Sequence, residues 1–419
     1  MKTTWRHFLR NKIYSLTNLL GLTLAFAVLI FIYIYVAGEI SYDKWIPGHD
    51  RIVRLQPDVK TGEGEQRWAT SEGFVVPQML ATLPSIEAGT RVLRMDREML
   101  ITKDGVQEGQ EGLVAIDSGF FNVFPLEFIS GSKKAAMKGN GLVITESVAI
   151  RFFGRTDVAG SALKTEWDDI EVLAVVKDIP TASHFRFKML VPLRWIWPDA
   201  EQSHNMNAFY SYVRLKPGVD VNSFNTEIIR PWYSKFGYAD RRPESERQGT
   251  ILNAMPIADI HLHSSREKEF APNGNAEIVS AFVAAGILLL IIAVINYVNL
   301  SSAIAIRRAK EIAVRKTIGA SKSRLFLRFI AESFLFTSMA IIVSIGVAAL
   351  LFPYFNSLIG KQLSLDVLAT PAFLVILVAI WIVISLISGI YPATVLSAFD
   401  PIATLKSGGR PIVTSSSSG

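Results

Sequence analysis

The chain has no cysteine. That excludes disulfides, thiolate zinc sites and cysteine nucleophiles, so any domain exposed to an oxidising compartment must be held by core packing alone. Charge is scarce as well: 19% of residues are Asp, Glu, Lys or Arg, against about a quarter in a soluble globular chain. Also missing are the Gly-x-Ser-x-Gly elbow, the His-Glu-x-x-His zinc motif and the glycine-rich phosphate loop ending in Gly-Lys-Ser/Thr. Their absence argues against the common hydrolase patterns and against ATP binding through a P-loop.

What is present is apolar. Half the residues are hydrophobic and the mean hydropathy is +0.31. Four stretches, 16–37, 278–304, 326–352 and 372–396, reach the length of about 20 apolar residues needed to cross a hydrocarbon core. Neither AFVAAGILLLIIAVINYV in the second nor AFLVILVAIWIVISLISGI in the fourth carries a charge. The first follows Lys2, Arg6, Arg10 and Lys12, as a secretory signal would, but it is too long and no small-residue cleavage pattern follows it. It reads as a retained anchor, preceded by an interfacial segment mixing Trp5 and Phe8 with Arg6 and Arg10.

The net charge of +6 is unevenly spread. Residues 39–277 hold 28 Lys and Arg against 33 Asp and Glu, while the remainder holds 15 basic and 4 acidic residues beside apolar runs. Such a distribution belongs to membrane topology rather than to a nucleic-acid-binding face. The basic residues cluster at the N-terminus and between the second and third spans, where Arg307, Arg308, Lys310, Arg315, Lys316, Lys322, Arg324 and Arg328 face only Glu311. Positive-inside then puts both termini and this loop in the cytoplasm, with 39–277 and 353–371 outside. The expected organisation is 1–38 (interfacial helix and first span), 39–277 (outer domain), 278–407 (three further spans) and 408–419 (polar, low-complexity tail).

The outer segment alternates strand and helix patterns, which predicts a mixed α/β domain of two lobes. Residues 51–55, 171–176 and 209–215 read as strands, and Asp104-Gly105 marks a hairpin turn. Residues 146–153 read as a helix stopped by Gly154, and Asp220 can cap a helix carrying Val221, Phe224 and Ile228. His261-Leu262-His263 reads as strand, placing two imidazoles on one face; that is half a metal site, with no third ligand evident. Asp168-Asp169 and Asp96-Arg97-Glu98 read as solvated turns rather than acid/base pairs.

The loop after the second span carries the most information. Ala309, Ile312, Ala313 and Lys316 share one helical face, Gly319 can end that helix, and Ser321 can cap the next. A merely basic stop-transfer loop would need neither the small-residue face nor the Gly-Ala-Ser break. Lys310-Glu311-Ile312-Ala313-Val314-Arg315-Lys316-Thr317-Ile318-Gly319-Ala320-Ser321, followed by Phe329-Ile330-Ala331-Glu332-Ser333, resembles the signature of MacB/FtsX-type ABC transporter permeases. Gly389-Ile390-Tyr391-Pro392-Ala393 and Phe399-Asp400-Pro401 resemble that family's fourth span. Glu39-Ile40-Ser41-Tyr42-Asp43, Phe120-Phe121-Asn122-Val123-Phe124, Val143-Ile144-Thr145-Glu146-Ser147 and Asp259-Ile260-His261-Leu262 resemble its periplasmic core domain, which recasts His261 as structural.

The resemblance implies a permease subunit of the bacterial cytoplasmic (inner) membrane, with no catalytic residue, metal or cofactor of its own. A separate ABC-type ATPase would hold ATP and magnesium. Its contact would be a coupling helix with Arg307, Arg308, Lys310, Glu311, Ile312, Ala313, Arg315, Lys316, Gly319 and Ala320. Asn296, Asn299 and Glu332 are polar positions near the cytoplasmic ends of the spans, where water or partner helices can satisfy them. Relatives often carry the four-span module twice or an ATPase fused to it. One copy here implies a dimer, with itself or a related permease, although the tail lies where a duplicated relative begins its second copy. The implied activity is export or extraction of a substrate through mechanotransmission, with a periplasmic adaptor or substrate protein as outer partner. The competing readings are a regulator of a cell-wall hydrolase or a peptide sensor built on the same machinery, and a receptor or membrane enzyme without any ATPase.

Overall fold

The computed structural model describes residues 12–61, 64–138, 140–203, 208–236, 251–307 and 321–397. The chain divides into two compact units, Met1–Gly38 with Glu277–Gly419, and Glu39–Ala276.

The first unit bears out the four expected spans as helices Lys12–Ile40, Ala276–Arg307, Lys322–Ile359 and Pro371–Ser397. Ser321 begins the third as expected, its hydroxyl accepting from the Arg324 amide at 3.4 Å, and Gly360 ends it in a left-handed conformation. Lipid supplies no hydrophobic drive between helices, so close approach and interhelical hydrogen bonds must hold them. The third and fourth helices show both. A Cβ on Gly389 would lie 3.0 Å from the Ile330 Cα, the hydroxyls of Thr337 and Ser385 meet at 2.6 Å, and the Trp381 indole donates to Ser338 at 3.1 Å. Leu22 and Phe26 of the first helix join Tyr297, Ala340, Ile341 and Ile384 in one apolar cluster. The second helix is the most exposed, with Ile287, Leu288, Ile291, Ile292 and Ile295 uncovered.

The second unit is built on a sheet whose strands are β1 (Ile52–Thr61), β2 (Gly64–Arg67), β3 (Ile86–Arg94), β6 (Leu113–Ile116), β7 (Phe128–Gly131), β8 (Leu142–Thr145), β9 (Ala162–Lys164), β10 (Asp169–Val176), β11 (Met189–Pro192), β12 (Tyr210–Leu215) and β13 (Ile251–Pro256). β4 (Met99–Lys103) and β5 (Val106–Gln110) form a separate hairpin, turning through Asp104 and Gly105, both at positive φ as that two-residue turn requires. The order is β13-β1-β12-β3-β6-β11-β8-β10-β7, with β2 on β1 and β9 on β10. β6–β11 and β8–β10 are parallel and the other pairs antiparallel. β8, β11 and β12 are buried almost throughout because short helices cover the sheet, Glu146–Phe153 with its Gly154 stop among them.

Three sequence expectations need amendment. Residue 51 belongs to a 3₁₀ turn, His49–Arg51, and the strand starts at Ile52. Asp220 does cap its helix, accepting from the Ser223 amide at 2.8 Å, but Phe224–Ile229 continues with a wider π-helical turn. His261 and His263 do not lie on a strand. Ile260–His263 is one helical turn following the 3₁₀ turn Ile257–Asp259. Two residues along a helix differ by about 200° in direction, so His261 is buried while His263 is exposed, and they share no face.

Candidate functional site

The α/β domain lies in the sequence between two membrane-crossing helices, and the places where the chain leaves one and returns to the other carry its most buried charged contacts. Both are fastened by buried charged side chains. Glu39, in the last turn of the first helix, is 1% exposed, and Asp43 is fully buried. Asp43 takes a left-handed backbone (φ 60), which Asp tolerates better than most residues. Its carboxylate accepts from the Ser183 hydroxyl at 2.8 Å, the His184 amide at 3.1 Å and the His184 Nδ1 at 2.8 Å. Its own amide donates to the Ala182 carbonyl at 2.9 Å. With Nδ1–H turned to the carboxylate, the other ring nitrogen of His184 accepts from the Tyr212 hydroxyl at 2.7 Å. Burial pushes the Tyr212 phenol well above its ordinary value, so it remains a donor.

The returning segment meets the outgoing one directly. His261 Nε2 donates to Glu39 Oε2 at 3.1 Å, and the Tyr42 ring stacks on the imidazole at 3.3 Å between centroids and 3° between planes. Gly274 closes over the pair: its amide donates to the His261 carbonyl, and an added Cβ would stand 2.6 Å from Glu39 Oε2 and 2.7 Å from His261 Nε2. Any larger residue there would have to displace one of these two side chains. The Tyr42 phenol is raised by burial, partly opposed by the charge of Arg186.

A third cluster ties the returning segment to β1. Arg54, fully buried, donates through both terminal nitrogens to Glu269 at 2.6 and 2.9 Å, to Ser264 at 2.8 Å and to Gln56 at 2.9 Å. Ser264 also donates to Glu269. Burial alone would raise the Glu269 carboxyl, but the hydrogen bonds and charge of Arg54, helped by Ser264, outweigh it and hold the group below its ordinary value. Nearby, the Tyr210 hydroxyl donates to the Lys268 carbonyl at 2.8 Å, its phenol pushed by burial up to about 12, and Arg266 pairs with Asp58 at 2.6 Å. Ile46 of the outgoing segment and Ile260 and Phe270 of the returning one enter the same apolar cluster as Phe120, Phe124 and Phe185.

Among the described residues no group of three or more ligand side chains could bind a metal. A cleft of about 210 Å³ in the α/β domain is lined by Asp117, Met137, Pro192 and Arg194 among others.

Of the positions singled out in the sequence, Arg307 ends the second helix, while Arg308, Lys310, Glu311, Ile312, Ala313, Arg315, Lys316, Gly319 and Ala320 lie outside the described residues. Glu332 receives Arg328 one turn earlier at 3.3 Å. Asn296 and Asn299 are exposed on the second helix, Asn296 beside Gly21 of the first. The Glu39–His261 and Asp43–His184 contacts were not read from the sequence. The signal available was that Glu39-Ile40-Ser41-Tyr42-Asp43 and Asp259-Ile260-His261-Leu262 each resembled family motifs, and the fold brings both to one place.

Four membrane-crossing helices with an α/β domain between the first and second define a multi-pass membrane protein of the transporter-permease class. Residues 15–230 match the family model of the MacB-like periplasmic core domain and residues 283–401 that of the FtsX-like permease C-terminal region. The chain belongs to the MacB/FtsX-type ABC transporter permeases. It is 21% identical over 413 residues to the uncharacterized ABC transporter permease YknZ of Bacillus subtilis, covering 95% of this chain and 96% of that protein. It is 26% identical over 160 residues to the macrolide export ATP-binding/permease protein MacB of Bdellovibrio bacteriovorus, covering 38% of this chain and 23% of MacB. A solved domain of a permease protein from Porphyromonas gingivalis aligns at 24% identity with a TM-score of 0.45, over 50% of this chain and 91% of that one.

Proposed function

We propose that this chain is the permease subunit of an ATP-driven transporter of the bacterial inner membrane, working as a dimer with a separate ABC ATPase. ATP-driven closure of the ATPase pushes on the loop at 307–318. The push moves the first and second helices and so reshapes the outer domain, to export or extract a substrate. The observation that carries this reading is that each helix continuation is anchored in the outer domain by buried side chains, Glu39 and Asp43 on one side and His261, Ser264 and Phe270 on the other, so that helix movement has fixed points to act on. A separate ATPase is supported by the match along 96% of YknZ, which is named a permease, whereas MacB, named for ATP binding as well, is matched over 23% of its length. The positive-inside pattern supports a cytoplasmic 307–328 loop and cytoplasmic termini.

The test is to purify the full chain with whatever binds it and to measure ATP hydrolysis. An ABC ATPase is expected to co-purify, and Arg315→Ala and Gly319→Leu are expected to lower hydrolysis or release the ATPase. If no ATPase is recovered, or hydrolysis ignores both substitutions, the reading fails. The outer partner decides the kind of work: an adaptor or lipoprotein marks transport, and a cell-wall hydrolase marks regulation.

A further inference from the structure

A peptide segment with free φ and ψ transmits tension but neither push nor tilt. If helix movement is to reshape the outer domain, the junction between them must be braced at specific atoms. We infer that Asp43 and the Glu39–His261 pair are the positioning residues of the transport cycle, a two-point brace that converts helix displacement into displacement of the outer sheet. The inference deepens the proposed function and rests on it.

Three features set these groups apart from ordinary core polar contacts. First, they follow the helix at once: Glu39 belongs to its final turn and Asp43 stands three residues past its end. Second, they fix the chain in more than one direction. Asp43 is tied through its amide and its carboxylate to 182–184, at a left-handed residue where the backbone turns, and the turn continues through Ile46, whose amide donates to the Asp43 carbonyl at 3.1 Å. A hinge at 43–46 would have to break these bonds together. Third, Glu39–His261 joins the outgoing segment to the returning one without passing through the sheet. Sliding of one segment past the other would have to break this pair, and Tyr42 and Gly274 close it off on its flanks. The groups are almost fully buried, so salt screens them little.

The imidazole is held on one side only. His261 Nδ1 is buried and has no hydrogen-bond partner. The ring therefore contributes one directional bond, from Nε2 to Glu39, and its removal is a clean test. An asparagine places its amide near the Nδ1 position and falls short of Glu39, whereas a glutamine places its amide near Nε2 and reaches it.

The experiment uses the full chain with its co-purified ATPase in lipid nanodiscs. Because the chain has no cysteine, Val106→Cys at the exposed hairpin turn gives one spin-label site per copy. The distance between the two copies' labels is measured with and without ATP and vanadate. His261→Asn and Glu39→Ala are expected to keep ATP hydrolysis at the unmodified rate while the ATP-dependent distance change is lost. His261→Gln and Glu39→Gln are expected to restore it. A purely structural role would lower the melting temperature of the asparagine and glutamine variants in proportion, without separating hydrolysis from movement. If Glu39→Ala does not fold, the His261 pair of variants decides alone. A full distance change in His261→Asn overturns the inference while leaving the proposed function standing. No distance change in the unmodified protein overturns the proposed function, and the inference with it.

Discussion

Replacing Asp43 by alanine removes a fully buried acceptor that serves the Ser183 hydroxyl, the His184 amide and the His184 ring. Each hydrogen bond to a charged group contributes about 1.5–3 kcal/mol, and each buried donor left bare costs about 1–3 kcal/mol. These are views of one loss and do not add, so breaking the cluster is expected to cost about 3–5 kcal/mol, as for a buried ion pair missing one partner. Alanine at φ 60 adds about 1–2 kcal/mol of backbone strain, which Asp and Asn largely escape. The sum approaches the whole stability of a domain, about 5–15 kcal/mol. Asparagine is the control. Its oxygen can serve Ser183 and the His184 amide, its NH₂ can donate to Nδ1 once the imidazole changes tautomer, and Nε2–H then donates to Tyr212. Asp43→Asn should therefore cost only about 1–2 kcal/mol. Thermal melting of the full chain in detergent gives the order. Hydrogen exchange at 182–184 gives the place, because local opening should show there first. If Asp43→Ala melted within about 0.5 kcal/mol of the unmodified protein, as a neutral surface change does, with exchange at 182–184 unchanged, the anchor reasoning would be wrong.

Glu269 gives a pH prediction. Its folded value lies below its ordinary 4.5, so its pairing with Arg54 stabilises fully above about 4.5 and is lost as pH falls through the lower folded value. Glu269→Gln should lower the neutral plateau and flatten the acid limb of a stability–pH curve; an unchanged acid limb would count against the pairing. Gly274→Ala should destabilise by about 1–3 kcal/mol through overpacking of the Glu39–His261 pair, visible as faster exchange at 261–264; a neutral outcome would show that the pair can give way. In the membrane unit, Gly389→Leu should force the third and fourth helices apart at Ile330 and lower the melting temperature. Thr337→Val should cost only about 0.6 kcal/mol, the usual worth of one interhelical hydrogen bond.

Local features of the fold were legible because they depend on neighbours in sequence. Long apolar runs fixed the four spans, and the caps at Gly154, Asp220 and Ser321 announced themselves through residue type. The Asp104-Gly105 turn did the same. His261-Leu262-His263 misled because apolar/polar alternation over three residues fits a strand and a single helical turn equally well. The candidate site was illegible for a different reason. Glu39 meets His261 from 222 residues away and Asp43 meets His184 from 141, and nothing in a single chain says which buried acid faces which histidine. The order of the sheet, with β1 between β12 and β13, was hidden in the same way.

That order has a consequence for the making of the protein. β1 is the first strand synthesised, yet residues Ile52–Leu55 pair with Ser211–Arg214 of β12, and Val53–Asp58 pair with Ile251–Pro256 of β13. Only its far end, near β2, has a local partner. At ~5–20 residues per second, roughly ten to thirty seconds separate the emergence of β1 from that of β12, and more passes before β13 follows. Throughout that interval the Ile52–Asp58 stretch of β1 stands with both edges open, the condition under which strands pair with the wrong chain. The nascent outer domain therefore depends on whatever shields Ile52–Asp58 during synthesis, and its yield should be set by that wait rather than by the stability of the finished sheet.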